Sequence, residues 1–143
     1  MGKVGLAAAL GLALGLLALW LRRRQEARGL ERWGLRVSLV GYALVVIGFF
    51  TQYWTPYLDF GFMAFTGPGT LVTLIGSTLL GIAFLRGREV PRLPSWLLAL
   101  AIPLVLVMTA LLGHLSAGLV PLELAWILLG LWLWSGEPRK APA

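Results

Sequence analysis

Residues 4–24 read VGLAAALGLALGLLALWLRRR, eighteen uncharged residues closed by three arginines. A hydrocarbon core about 30 Å thick takes roughly 20 apolar residues to cross at about 1.5 Å each. Val4 to Leu21 therefore predicts a transmembrane helix. A secretory signal would end in a small-residue cleavage site, whereas Arg22, Arg23 and Arg24 stand at this end. The helix is expected to remain as an uncleaved anchor, its stronger positive flank in the cytoplasm and its short N-terminus outside.

Four further runs of similar length follow, at about Val37–Trp54, Gly69–Leu85, Trp96–Gly113 and Gly118–Trp134, and only Glu123 places a charge inside one. The composition agrees. The 143 residues are 59% hydrophobic and 13% charged, with a mean hydropathy of +0.85, against about 25% charged in a soluble domain. The expected fold is all-α: a single polytopic membrane domain of five transmembrane helices, spans 4–21, 37–54, 69–85, 96–113 and 118–134.

Orientation follows from where lysine and arginine fall in short loops. Arg22, Arg23, Arg24, Arg28, Arg32 and Arg36 follow the first span, Arg86, Arg88 and Arg92 follow the third, and Arg139 and Lys140 lie in the tail. Lys3 alone is left for the opposite side. All loops agree on an outer N-terminus and a cytoplasmic C-terminus. In the basic loop 22–36, Ala27, Leu30 and Trp33 recur at helical spacing, which suggests a segment lying on the inner membrane surface, weakened by Gly29 and Gly34. The second basic loop, Arg86 to Pro94, is expected to be a turn stiffened by Pro91 and Pro94.

Small residues mark packing faces. Ala7, Gly11 and Gly15 recur four apart in the first span, and Thr73, Ser77 and Gly81 do so in the third. Such spacing lets helices approach closely, within one chain or between chains. Pro103 is expected to kink the fourth span. Leu39-Val40-Gly41-Tyr42-Ala43-Leu44 is faintly echoed by Leu74-Ile75-Gly76-Ser77-Thr78-Leu79.

Candidate functional residues are few. Cysteine is absent, which excludes disulfide scaffolds, thiolate catalysis and iron–sulfur ligation. The outer segment 49–68 concentrates Phe49, Phe50, Tyr53, Trp54, Tyr57, Phe60, Phe62 and Phe65. Aromatics of this kind favour the membrane interface; the alternative is an aromatic-walled groove for a lipid tail, a quinone ring or a partner helix, with Asp59 as its polar contact. His114 falls in the turn between spans four and five. Glu123 follows Pro121 near the positive N-terminus of the last helix, where capping competes with a proton or cation site shared with His114. Asp59, His114 and Glu123 have no spacing that fixes a metal.

Neither a nucleophile–base arrangement nor a phosphate-cradling loop is evident. No catalysis, metal or cofactor is expected. The net charge of +6 and pI near 10.8 belong to membrane topology rather than to nucleic-acid binding.

Gly67-Pro68-Gly69, Ile75-Gly76-Ser77-Thr78-Leu79-Leu80-Gly81-Ile82-Ala83, Arg92-Leu93-Pro94-Ser95-Trp96 and Leu124-Ala125-Trp126-Ile127-Leu128-Leu129-Gly130 together resemble the closing half of small uncharacterised bacterial membrane proteins. That resemblance implies a bacterial inner-membrane location and no activity. The expected function is non-enzymatic: an accessory subunit of a larger membrane complex, or a small homo-oligomer, in contact with the lipid bilayer. The alternative is a small transporter or a lipid- or quinone-handling protein using the outer aromatic segment.

Overall fold

The computed structural model describes residues 2–55, 62–114 and 118–135, and all its regular elements are helical. In chain order they are α1 (Gly2–Arg23), α2 (Leu30–Trp54), a π-helical turn (Phe62–Thr66) leading into α3 (Gly67–Gly87), α4 (Arg92–Ala99), α5 (Ala101–Leu112) and α6 (Val120–Ser135). Among the described residues, Leu30–Trp54 and Met63–Gly87 are each long and apolar enough to cross a membrane. The pair α4 and α5 makes a third if it is one broken span. The chain thus has the helices of a membrane protein. Its sixteen-residue α6 is apolar but shorter than those two.

The centre of the molecule is the antiparallel pair α2 and α3, and glycine sets its spacing. A Cβ built on Gly41 would collide with the backbone and hydroxyl of Thr73, and one built on Gly76 with those of Ser38. Gly34 would meet the Leu80 backbone nitrogen at 2.8 Å, and Gly69 that of Val45 at 2.8 Å. These four contacts form two reciprocal pairs. Gly34, Ser38, Gly41 and Val45 on α2 correspond at one constant offset to Gly69, Thr73, Gly76 and Leu80 on α3, and each group touches the partner of its counterpart. Residues 34–45 and 69–80 therefore correspond as an inverted repeat, exchanged by a local two-fold axis between the helices. The sequence echo is the inner part of this repeat. Ser38 Oγ and Thr73 Oγ1 are buried without a hydrogen-bond partner among the described residues. They lie against opposing glycines, where weak Cα–H···O contacts recur at helix interfaces.

The other helices pack outward from this pair. Leu16 and Leu19 of α1, Leu35 and Tyr42 of α2, Leu80 and Phe84 of α3, Leu98 of α4, and Leu122, Trp126 and Leu129 of α6 form one buried cluster. Gly81 does for α3 and α4 what Gly41 does for α2 and α3: its missing side chain admits the backbone of Leu98 and Ala99.

Three sequence expectations change. The basic loop is not a separate surface helix: Arg22 and Arg23 end α1, and Leu30 to Arg36 are the first turns of α2. Gly29, at φ 53°, breaks the two apart, and Ala27, 1% exposed, does not share a stripe with Trp33, 61% exposed. Pro94 does not stiffen a loop but sits buried in the first turn of α4, where a missing N–H costs no helical bond. The fourth span is not one kinked helix: α4 and α5 meet at 70° across Leu100. Pro103 lies in the first turn of α5 and has no N–H to offer the Ala99 carbonyl, so the break precedes it by a turn.

Because the Gly76 contact is with backbone, Gly76→Val should lower stability by about 1–3 kcal/mol, the usual cost of overpacking, read as a lower melting temperature of the detergent-solubilised protein. Gly87→Ala, at a helix end with open space around it, is the matched control and should shift it little.

Candidate functional site

Three cavities in the described structure have polar groups in their lining, and two of them bear on the candidate residues or on the ion pairs of the bundle. The first is a groove of about 390 Å³ between α1 and α6, lined by Gly11, Leu12, Gly15 and Leu19 on one wall and by Glu123, Trp126, Ile127, Leu129, Gly130 and Leu133 on the other. Glu123 is the only charged residue lining it. It lies in the first turn of α6, its backbone N–H donating to the Leu119 carbonyl at 3.0 Å. Its carboxylate is within electrostatic reach of the Tyr42 phenol, and Tyr42 packs edge-on to Trp126 at 6.1 Å between ring centroids. The Trp126 indole N–H is buried without a partner among the described residues.

The glycines on this groove differ in kind from those of the helix pair. A Cβ on Gly11, Gly15 or Gly130 would meet nothing within 4 Å. The small-residue face of α3 is used inside the molecule: Ser77 is fully buried and Gly81 receives α4. The small-residue face of α1 is open.

The second place is an ionic node at the arginine-rich end. The Arg23 guanidinium is 9% exposed and reaches three helices. Its Nε donates to Glu31 Oε1 at the start of α2, its Nη2 to Glu31 Oε2 at 3.4 Å and to Glu89 Oε2, after α3, at 2.9 Å. The guanidinium also lies over the Phe84 ring at 5.8 Å. Burial works to lower its pKa, but the hydrogen bonds and charges of Glu31 and Glu89 outweigh that effect and raise it. Arg23 therefore stays a cation although largely desolvated. Glu26 lines the same small cavity.

Sequence reasoning missed this node because it read Arg22 to Arg24 as a single run. Successive helical residues point about 100° apart, and only Arg23 faces inward; Arg22 instead donates to the Leu133 carbonyl of α6 at 2.9 Å. The available signal was the acids. Glu26, Glu31 and Glu89 sit in loops whose positive charge they oppose, with no topological reason to be there.

Among the described residues, no hydrogen bond, ion pair or ring contact joins Tyr53 or Trp54 to His114 or Glu123. Tyr53 and Trp54 are exposed on the last turn of α2, stacked edge-on to each other at 6.0 Å, so this part of the aromatic segment continues a helix. Tyr57 and Asp59 lie outside the described residues. His114 is exposed beyond the end of α5, and among the described residues no hydrogen bond or ion pair joins it to Glu123. No group of three histidine, aspartate or glutamate side chains among the described residues could hold a metal.

No family model, no curated protein and no solved structure matches this chain.

Removing Arg23 would leave Glu31, 15% exposed, without its cation. Arg23→Met should therefore destabilise the protein by about 3 kcal/mol, the low end for one partner of a buried pair. Arg28→Ala, at an exposed position, should cost less than about 0.5 kcal/mol. Thermal melts of the two variants in the same neutral detergent separate a buried node from general loss of positive charge.

Proposed function

We propose that this chain is a non-enzymatic bacterial inner-membrane protein that works by assembly, seating a transmembrane helix of a larger complex, or of a second copy, in the groove between α1 and α6. The observation that carries this reading is the open glycine face. Gly11 and Gly15 bring small-xxx-small spacing to a groove with no helix in it, and such spacing promotes close helix approach in lipid, where apolar burial between helices gives little drive. Gly130 extends the same surface on the facing wall. The lining is almost wholly apolar, as a membrane-embedded contact needs.

The proposed topology has five spans, an outer N-terminus and a cytoplasmic C-terminus. It counts α1, whose 22 residues reach roughly 33 Å at 1.5 Å each, and α6, together with α2, α3 and the bent pair. Its support is the distribution of arginine: every basic residue but Lys3 falls at the ends assigned to the cytoplasm. Glu123 at the outer mouth of the groove serves as a polar contact for the incoming helix.

Gly11→Leu/Gly15→Leu should abolish association while leaving the monomer folded, because both added side chains enter open space. Purification from the native host in mild detergent, followed by native mass spectrometry, should show wild type with a stoichiometric subunit or as a discrete oligomer, and the double variant as monomer. A wild-type protein that is monomeric throughout would overturn the reading. Separately, a reporter fused after Ala143 should report cytoplasm; a periplasmic signal would break the five-span topology.

A further inference from the structure

A second cavity of about 390 Å³ opens at the arginine-rich end, on the other side of α1 from the glutamates. Trp20, Arg24, Gln25, Ala27, Arg32, Leu35 and Arg36 line it, and no carboxylate among the described residues does. Among the described residues, the acids of this end, Glu26, Glu31 and Glu89, line the Arg23 cavity instead. Arg23 thereby takes up Glu31 and Glu89, and Arg24, Arg32 and Arg36 form no ion pair among the described residues. Arg32 and Arg36 are one helical turn apart on α2, an arrangement that repels in the absence of an anion. Arg24 is held on the opposite wall with its guanidinium over the Trp20 ring at 5.7 Å. The floor, Ala27 and Leu35, is apolar and buried.

We infer that this cavity binds the phosphate of an anionic phospholipid headgroup. Guanidinium groups bind phosphate oxygens in pairs, and basic pockets between membrane helices are the recurrent sites for such headgroups. The position favours a lipid over free phosphate. Trp20 lies at the level where indoles mark the membrane interface, one turn from the end of α1. Leu17, three residues before Trp20, and Val40, four after Arg36, continue the same helical faces toward the membrane interior and are exposed. An acyl chain leaving the headgroup has an apolar track on both helices. The site is separate from the α1–α6 groove, so lipid binding and subunit assembly stand or fall independently.

The test uses the full-length protein in nanodiscs of phosphatidylcholine with one-fifth phosphatidylglycerol, ejected into a native mass spectrometer to count retained lipids. Wild type should retain phosphatidylglycerol preferentially. Arg32→Gln/Arg36→Gln should weaken that preference about twenty-five-fold, at about fivefold for each arginine near an anionic headgroup, and Arg24→Gln about fivefold by the same reckoning. Arg86→Gln/Arg88→Gln removes the same charge from the same end outside the cavity and should leave retention unchanged. Equal loss in both double variants would reduce the effect to general surface attraction and overturn the site, as would equal retention of the two lipids by wild type. Displacement of the retained lipid by millimolar inorganic phosphate would assign the cavity to the soluble ion and overturn the lipid assignment. Unchanged melting temperatures of the arginine variants in neutral detergent are the expected sign that they fold; if Arg32→Gln/Arg36→Gln melts early, Arg24→Gln, on the other wall, decides.

Discussion

The architecture depends on how closely two backbones can approach. In lipid, burying an apolar side chain against another gains little, since the surrounding tails are equally apolar; what remains is dispersion, weak polar contact and the loss of lipid ordering. Dispersion falls steeply with distance, so the chain places Gly34, Gly41, Gly69 and Gly76 where α2 and α3 cross. That contact gives α1, α4 and α6 a rigid surface on which to pack. Gly81 repeats the device one layer out and fixes the corner between α4 and α5 against α3.

Charge is organised on the same economical lines. At the arginine-rich end one guanidinium is taken inside and surrounded by carboxylates, and its neighbours in sequence are left facing outward. The two roles follow from helical rotation alone. Arg23 cross-links the ends of α1, α2 and α3, while Arg24, a residue later, rests on Trp20 at the surface. Positive charge there closes the bundle through one residue and stays at the surface through the next.

Much of the fold was legible because hydropathy and helix length are local properties. The runs beginning at Val4, Val37 and Gly69 correspond to α1, α2 and α3, with ends displaced by a few residues where Leu30 to Arg36 proved helical despite its charges. Small-residue spacing marked Ser77 and Gly81 as packing positions, which they are. It could not separate them from Gly11 and Gly15, because spacing identifies a face but not what covers it. The Arg23 node was hidden for a related reason: its partners lie across a turn and on a third helix, and no periodicity within one segment encodes that. The 70° corner was displaced from the proline that causes it because the missing hydrogen bond lies a turn upstream.

The reciprocal packing of α2 and α3 makes the two helices nearly interchangeable at their four contact positions. Exchange them about the local axis and the glycine and hydroxyl positions coincide. What tells them apart lies around those contacts: Arg32 and Arg36 on α2 correspond to Gly67 and Leu71 on α3, Tyr42 to Ser77, and Val46 to Gly81. The contact line of this hairpin is therefore sterically degenerate, and what distinguishes the two helices is carried by charge and by the residues that face the other helices. Either helix could line the seam; it is Tyr42, against Trp126, and Gly81, against the backbone of α4, that commit each to its own neighbours.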